Sequence, residues 1–109
     1  MEVATQAETL ARYGRALADP TRARVMIALS GAAGYPAELA DSLGVSRQSV
    51  SNHLACLRGC GLVVAVPEGR RARYELADPR LGDVLGDLLE LVLIPHPSVC
   101  PATVDDDCC

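Results

Sequence analysis

Val-Ser-Arg-Gln-Ser-Val-Ser-Asn-His-Leu-Ala-Cys-Leu-Arg-Gly-Cys-Gly, residues 45–61, reads as one helix with two chemically different ends. Ser46 is a good N-cap and Gly61 a good stop, and Val50, Leu54 and Leu57 recur at i, i+4, i+7 as an apolar stripe. Around the first turns lie Ser46, Arg47, Gln48, Ser51 and Asn52, short or forked donors and acceptors of the kind that reach base edges and phosphates when a helix enters the major groove. The last turn carries Cys56 and Cys60. At about 100° per residue the two thiols share a flank, a spacing that lets two thiolates hold one ion. A DNA-reading surface and half of a metal site on one helix imply a metal-responsive DNA-binding protein.

Upstream, Ala37 to Leu43 reads as a short helix ending at Gly44, so 36–61 has the pattern short helix, tight turn, longer helix: a helix-turn-helix. Downstream, Leu62–Val66 and Arg71–Leu76 read as strands joined by Pro67-Glu68-Gly69-Arg70, a wing after the recognition helix. Arg70 and Arg71 at its tip either touch phosphates or the minor groove or are solvated turn residues. Before the motif, residues 5–18 form a helix with Leu10, Tyr13 and Leu17 on one face, and Asp19-Pro20 opens a second that closes at Gly31. After it, Asp78-Pro79 repeats that device and opens a last helix from Arg80 to Ile94. Its stripe of Leu81, Val84, Leu85, Leu88, Leu91 and Val92 is broad for a helix at the edge of a small domain. With Leu10 of the first helix, Leu81, Leu85, Leu88 and Val92 are expected to form a two-fold dimer interface. The fold class that follows is mainly α with a β-hairpin: five helices, the fourth for recognition, and a hairpin between the fourth and fifth. Residues 1–94 form the DNA-binding and dimerisation domain, and 95–109 a flexible cysteine-containing tail.

The chain has 109 residues, half of them hydrophobic, with no Phe, no Trp and three Tyr, so one aliphatic core is expected. No apolar run is long enough to span a membrane, and the N-terminus lacks a basic segment followed by an apolar one, so a cytoplasmic protein with no membrane partner is expected. The net charge of −4 speaks against a general nucleic-acid binder. Its distribution matters more. Residues 44–76 hold five Arg and two acids, whereas 77–109 hold one Arg and seven acids. A positive middle on an acidic body suits site-specific DNA binding with strong salt dependence.

Five cysteines, an odd number, in a reducing compartment point to metal ligation or redox sensing rather than a disulfide framework. Thiolates suit soft ions: Cd(II), Pb(II), As(III) or, with a fourth ligand, Zn(II). Cys56 and Cys60 also fit as small core residues. His53 shares their flank at i, i+3, i+7, where a histidine more often packs beside a core or contacts DNA than ligates. A thiol enzyme is disfavoured, because Cys-x-x-x-Cys is not the redox spacing and no phosphate loop or carboxylate and His constellation appears. A protein-interaction module without DNA binding stays open, given the acidic balance.

The residues resemble the ArsR/SmtB metalloregulatory repressors, winged-helix homodimers that leave DNA when they bind metal. The resemblance is carried by Ala-Leu-Ala-Asp-Pro-Thr-Arg-Ala-Arg (16–24), Glu-Leu-Ala-Asp-Ser-Leu-Gly-Val-Ser (38–46), Val-Ser-Asn-His-Leu-Ala-Cys-Leu-Arg-Gly-Cys-Gly-Leu-Val (50–63) and Glu-Gly-Arg (68–70). Cys56 and Cys60 with a tail cysteine are similar to the cadmium- and lead-sensing, CmtR-like branch. There, two helix cysteines of one protomer and a tail cysteine of the other form a trithiolate site. The resemblance implies Cys100 as third ligand, six residues beyond Ile94 and within about 20 Å of extended chain. Cys108 and Cys109 depart from the pattern and leave the tail ligand open, and His96 is a further tail candidate. The third helix lacks the Cys-x-Cys of other members, and the last helix lacks the histidines of their zinc site. The resemblance thus implies a repressor that binds palindromic operator DNA as an apo homodimer and is released by Cd(II) or Pb(II). An arsenite- or antimonite-responsive repressor and a thiol-oxidation sensor are the alternatives.

Overall fold

A computed structural model describes residues 2–91. The order is α1 (Val3–Ala18), α2 (Pro20–Gly31), α3 (Pro36–Leu43), α4 (Arg47–Gly59), β1 (Val63–Glu68), β2 (Arg71–Leu76) and α5 (Pro79–Glu90). This is the winged helix-turn-helix expected from the sequence.

The element boundaries are set by local chemistry. Asp19 accepts from the backbone N–H groups of Thr21 at 2.9 Å and Arg22 at 3.1 Å, and Pro20 needs no donor at the first helical position. Asp78 does the same for α5, accepting from the Arg80 N–H at 2.9 Å. Gly44 makes the turn between α3 and α4 with φ of 69°, a left-handed conformation that favours glycine. Ser46 then caps α4 by accepting from the Ser49 N–H at 3.0 Å. The α4 C-terminus closes as a Schellman motif: the Gly61 N–H donates to Arg58 O, the Leu62 N–H to Leu57 O, and Gly61 has φ of 79°. Leu57 and Leu62 are both buried there, so the end of α4 is fastened to the core.

The core is aliphatic. Val25, Met26 and Leu29 of α2, Leu39 and Ala40 of α3 and Val50, Leu54 and Leu57 of α4 meet Ala16, Leu62, Val63 and Leu85. Strands β1 and β2 pair antiparallel from Val63 opposite Leu76 to Glu68 opposite Arg71, leaving Gly69-Arg70 as the turn. Gly69 has φ of 61°, as a two-residue hairpin with glycine first requires. Gly34, ahead of α3, exchanges both backbone hydrogen bonds with Tyr74, at 2.9 and 2.7 Å. The wing is thereby stitched to the base of the helix-turn-helix.

Several boundaries differ from the sequence reading. α1 begins at Val3, α3 at Pro36, and β1 runs Val63–Glu68 rather than 62–66, the added Pro67 being tolerated because a two-stranded sheet has only edge strands. α5 ends at Glu90, not Ile94: Leu91 is extended and its N–H closes on Leu88 O. Of the five positions read as a dimer interface, Leu85 is instead a core residue at 6% exposure, and Leu81 packs beside the core. Leu10 and Leu88 remain open at 69% and 47%, while Val92 lies outside the described residues. α1 fully buries only Ala16 and packs Leu17 beside the core, so Val3, Leu10 and Tyr13 of this long helix stand exposed in the single chain.

Candidate DNA-reading face and thiolate cleft

With Val50, Leu54 and Leu57 turned inward, α4 presents Arg47, Gln48, Ser51 and Asn52 outward, and all four are exposed. The Gln48 Nε2 donates to Asn52 Oδ1 at 2.9 Å across one turn, which aligns two amides side by side. Arg47 has no carboxylate within ion-pair distance among the described residues. Ser46 is exposed but its Oγ is engaged in capping, so it serves the geometry of the face first.

The wing treats its two arginines differently. Arg70 is exposed in the turn, without an ion-pair partner among the described residues. Arg71 folds back: its Cζ lies 3.5 Å from the Tyr35 ring centroid and its Nη2 donates to Glu38 at 3.2 Å. The Tyr35 hydroxyl donates to Glu68, whose other oxygen accepts from Arg73. The bond to Glu68 raises the Tyr35 pKa above its ordinary value, with burial and the Glu68 charge adding to it and Arg71 and Arg73 opposing. Arg73 Nε is buried with no hydrogen-bond partner, 3.8 Å from Glu75. Together with the Gly34–Tyr74 bridge, these contacts join the start of α3 to the hairpin. The partners that give Tyr35 a role are 33 to 36 positions away, beyond any local sequence pattern.

At the other end of α4, Cys56 is exposed and Cys60 half-buried, and both are free thiols. They open onto one cleft of about 530 Å³, lined also by Arg12, Arg15 and Ala16 of α1, Arg22 of α2, and Gly59. Arg22 is held in place by donating to Ala16 O at 3.0 Å and Arg15 O at 2.7 Å, tying off the end of α1. The donor set fits a soft ion in kind but is incomplete. Among the described residues, no three His, Cys, Asp or Glu side chains come together. His53 is not in the cleft lining; its Nε2 lies 3.9 Å from Asp19 Oδ1, on the α2 cap. Asp19 in turn is held below its ordinary pKa, chiefly by the Arg22 backbone N–H, with the Thr21 N–H and the charges of His53 and Arg22 contributing against desolvation. Cys100, Cys108, Cys109 and His96 lie outside the described residues.

Residues 19–64, from the α2 cap through the recognition helix to the first strand, match the family described as bacterial regulatory protein, arsR family. Over 84 residues the chain is 61% identical to the HTH-type transcriptional regulator CmtR of Mycobacterium tuberculosis, covering 77% of this chain and 71% of that protein. The chain belongs to the ArsR family. Among solved structures of similar proteins, the NMR structure of the cadmium metal-sensor CmtR from M. tuberculosis aligns with a TM-score of 0.66 at 58% identity, over 79% of this chain and 90% of that one. The homodimeric winged helix-turn-helix DNA-binding domain Mb0332 from Mycobacterium bovis, a possible ArsR-family regulator, aligns with a TM-score of 0.72 at 26% identity, over 85% and 93%. This ArsR-family chain is a metal-responsive transcriptional repressor, and its relatives are regulators rather than enzymes.

Proposed function

We propose that this repressor binds palindromic operator DNA as an apo homodimer in the cytoplasm and is released when Cys56, Cys60 and a tail thiolate, Cys100, gather on one Cd(II) or Pb(II) ion. The observation that carries the proposal is that α4 bears the exposed Arg47, Gln48, Ser51 and Asn52 at one end and the cysteine pair at the other. The likeness to a cadmium sensor supports the choice of inducer. In the DNA-bound state two α4 helices enter successive major grooves, with Arg70 reaching the backbone beside them. Arg71 has a structural share, since it stacks on Tyr35 and fixes the wing.

A bound soft ion supplies one thing: a common centre for three thiolates. The chain does the rest. Cys56 in the last turn of α4 and Cys60 at its C-cap line the cleft with Arg12, Arg15 and Ala16 of α1, so a third thiolate held there would tie the end of α4 to α1. In a dimer built on α1 and α5, that contact sets the spacing and tilt of the two reading helices. A spacing that misfits DNA weakens binding, and by linkage DNA weakens ion binding by the same factor, typically about 5- to 150-fold for such couplings.

The incomplete donor set makes the tail the test. The reduced protein is titrated anaerobically with Cd(II), Pb(II) and arsenite, following thiolate charge-transfer absorption in wild type, in Cys100→Ser and in a variant lacking Cys108 and Cys109. Loss of one thiolate in Cys100→Ser alone supports the proposal. Loss only in the deletion variant assigns the third ligand to Cys108 or Cys109 and favours an arsenite-type signal.

A further inference from the structure

We infer that the guanidinium groups of Arg12 and Arg15 select the charge of the ion held by Cys56 and Cys60, favouring divalent soft ions over arsenite. The inference rests on the trithiolate reading of that pair and goes beyond it. Ligand softness alone does not separate Cd(II), Pb(II) and As(III), all of which accept three thiolates. Charge does. A divalent ion that displaces the protons of three thiols leaves a complex with one net negative charge. Arsenous acid exchanges three hydroxyls for three thiols, releases three waters and leaves a neutral complex.

The cleft is built for the first case. Arg12, Arg15 and Arg22 line it beside the cysteines, and among the described residues no carboxylate lines it. Arg22 is fixed on the α1 carbonyls. Arg12 and Arg15 lie one turn apart on α1, and neither has a carboxylate within ion-pair distance among the described residues. An anion formed at Cys56 and Cys60 meets this wall with a favourable Coulomb term, and a neutral complex gains almost nothing from it. Had α1 presented Glu8 or another carboxylate here, the preference would run the other way.

The test compares Cd(II), Pb(II) and arsenite affinities of the full-length protein, read from charge-transfer absorption in competition with a chelator or a dithiol. The variants are Arg12→Gln with Arg15→Gln, Arg58→Gln as an exposed charge outside the cleft lining, and Cys56→Ser. For the double variant, Cd(II) and Pb(II) affinities fall on the order of tenfold, arsenite affinity stays within about twofold, and the salt dependence of Cd(II) binding flattens. Arg58→Gln leaves all three nearly unchanged. Equal losses for arsenite and the divalent ions, or no loss for either divalent ion, overturn the inference while leaving the site intact. If Cys56→Ser binds all three ions as wild type does, the site reading itself fails.

Discussion

Leu10→Glu puts a carboxylate in the middle of the uncovered face of α1. In the single chain Leu10 is 69% exposed, so about two-thirds of its surface is available for the proposed dimer to cover. Full burial of a leucine side chain is worth about 1.5–3 kcal/mol, so the uncovered part is worth about 1–2 kcal/mol. A two-fold axis presents the position twice, giving about 2–4 kcal/mol. At 1.4 kcal/mol per factor of ten, the dimer weakens by about 30- to 700-fold, before any cost of desolvating the new charge. Sedimentation equilibrium over a range of concentrations measures this directly, and far-UV circular dichroism controls for the fold, which the exposed site should not disturb. Operator affinity should fall with the dimer. An unchanged dissociation constant for Leu10→Glu would refute the assignment of α1 to the interface. Leu88→Glu on α5, 47% exposed, should act in the same direction.

Tyr35→Phe removes the hydroxyl that donates to Glu68 but keeps the ring beneath Arg71; it should lower operator affinity several-fold without changing the slope of affinity against salt. Arg70→Ala should instead reduce that slope by about one, if Arg70 makes the proposed phosphate contact. Leu57 is fully buried where α4 joins the core, and Leu57→Ala should cost about 2–5 kcal/mol in urea unfolding at fixed protein concentration. Asp19 and Asp78 have pKa values below 3.8, the former mainly through the Arg22 amide and the latter through Arg80. Because both values are lowered on folding, the stability they contribute is complete above the unfolded carboxylate pKa and is lost as pH falls through the folded values. Helicity should therefore hold to about pH 4 and then decline, with a weaker acid dependence in Asp19→Asn.

The features legible in the sequence are those whose chemistry is local. Asp19-Pro20 and Asp78-Pro79 announce helix starts because the cap and the fixed proline φ act within three residues. Ser46, Gly44 and Gly61 bound the recognition helix for the same reason, and the Val50, Leu54, Leu57 stripe then fixes which side faces outward. The hairpin follows from Gly69 between two β-prone runs. What depends on packing leaves no local signature. The run Leu91-Val92-Leu93-Ile94 continues the α5 pattern, so periodicity alone carries the helix past Glu90 to Pro95. The wide α5 stripe does not say that Leu85 turns to the core while Leu88 stays outside. Arg12 and Arg15 are plain charges on a polar face until α4 is set against α1 and brings Cys56 and Cys60 to them. The Tyr35, Glu38, Glu68, Arg71 and Arg73 network joins segments about 30 residues apart, and nothing in either segment names the other.

The proposed function couples the DNA-reading end of α4 to its thiolate end. It is tested most directly by fluorescence anisotropy of labelled DNA from the protein's own promoter region, measured anaerobically with and without Cd(II). Wild type, Cys56→Ser and Cys60→Ser should bind the metal-free DNA alike. One equivalent of Cd(II) per site should release wild type, and both serine variants should stay bound. Wild-type affinity unmoved by saturating Cd(II), or serine variants released as readily as wild type, would contradict the account.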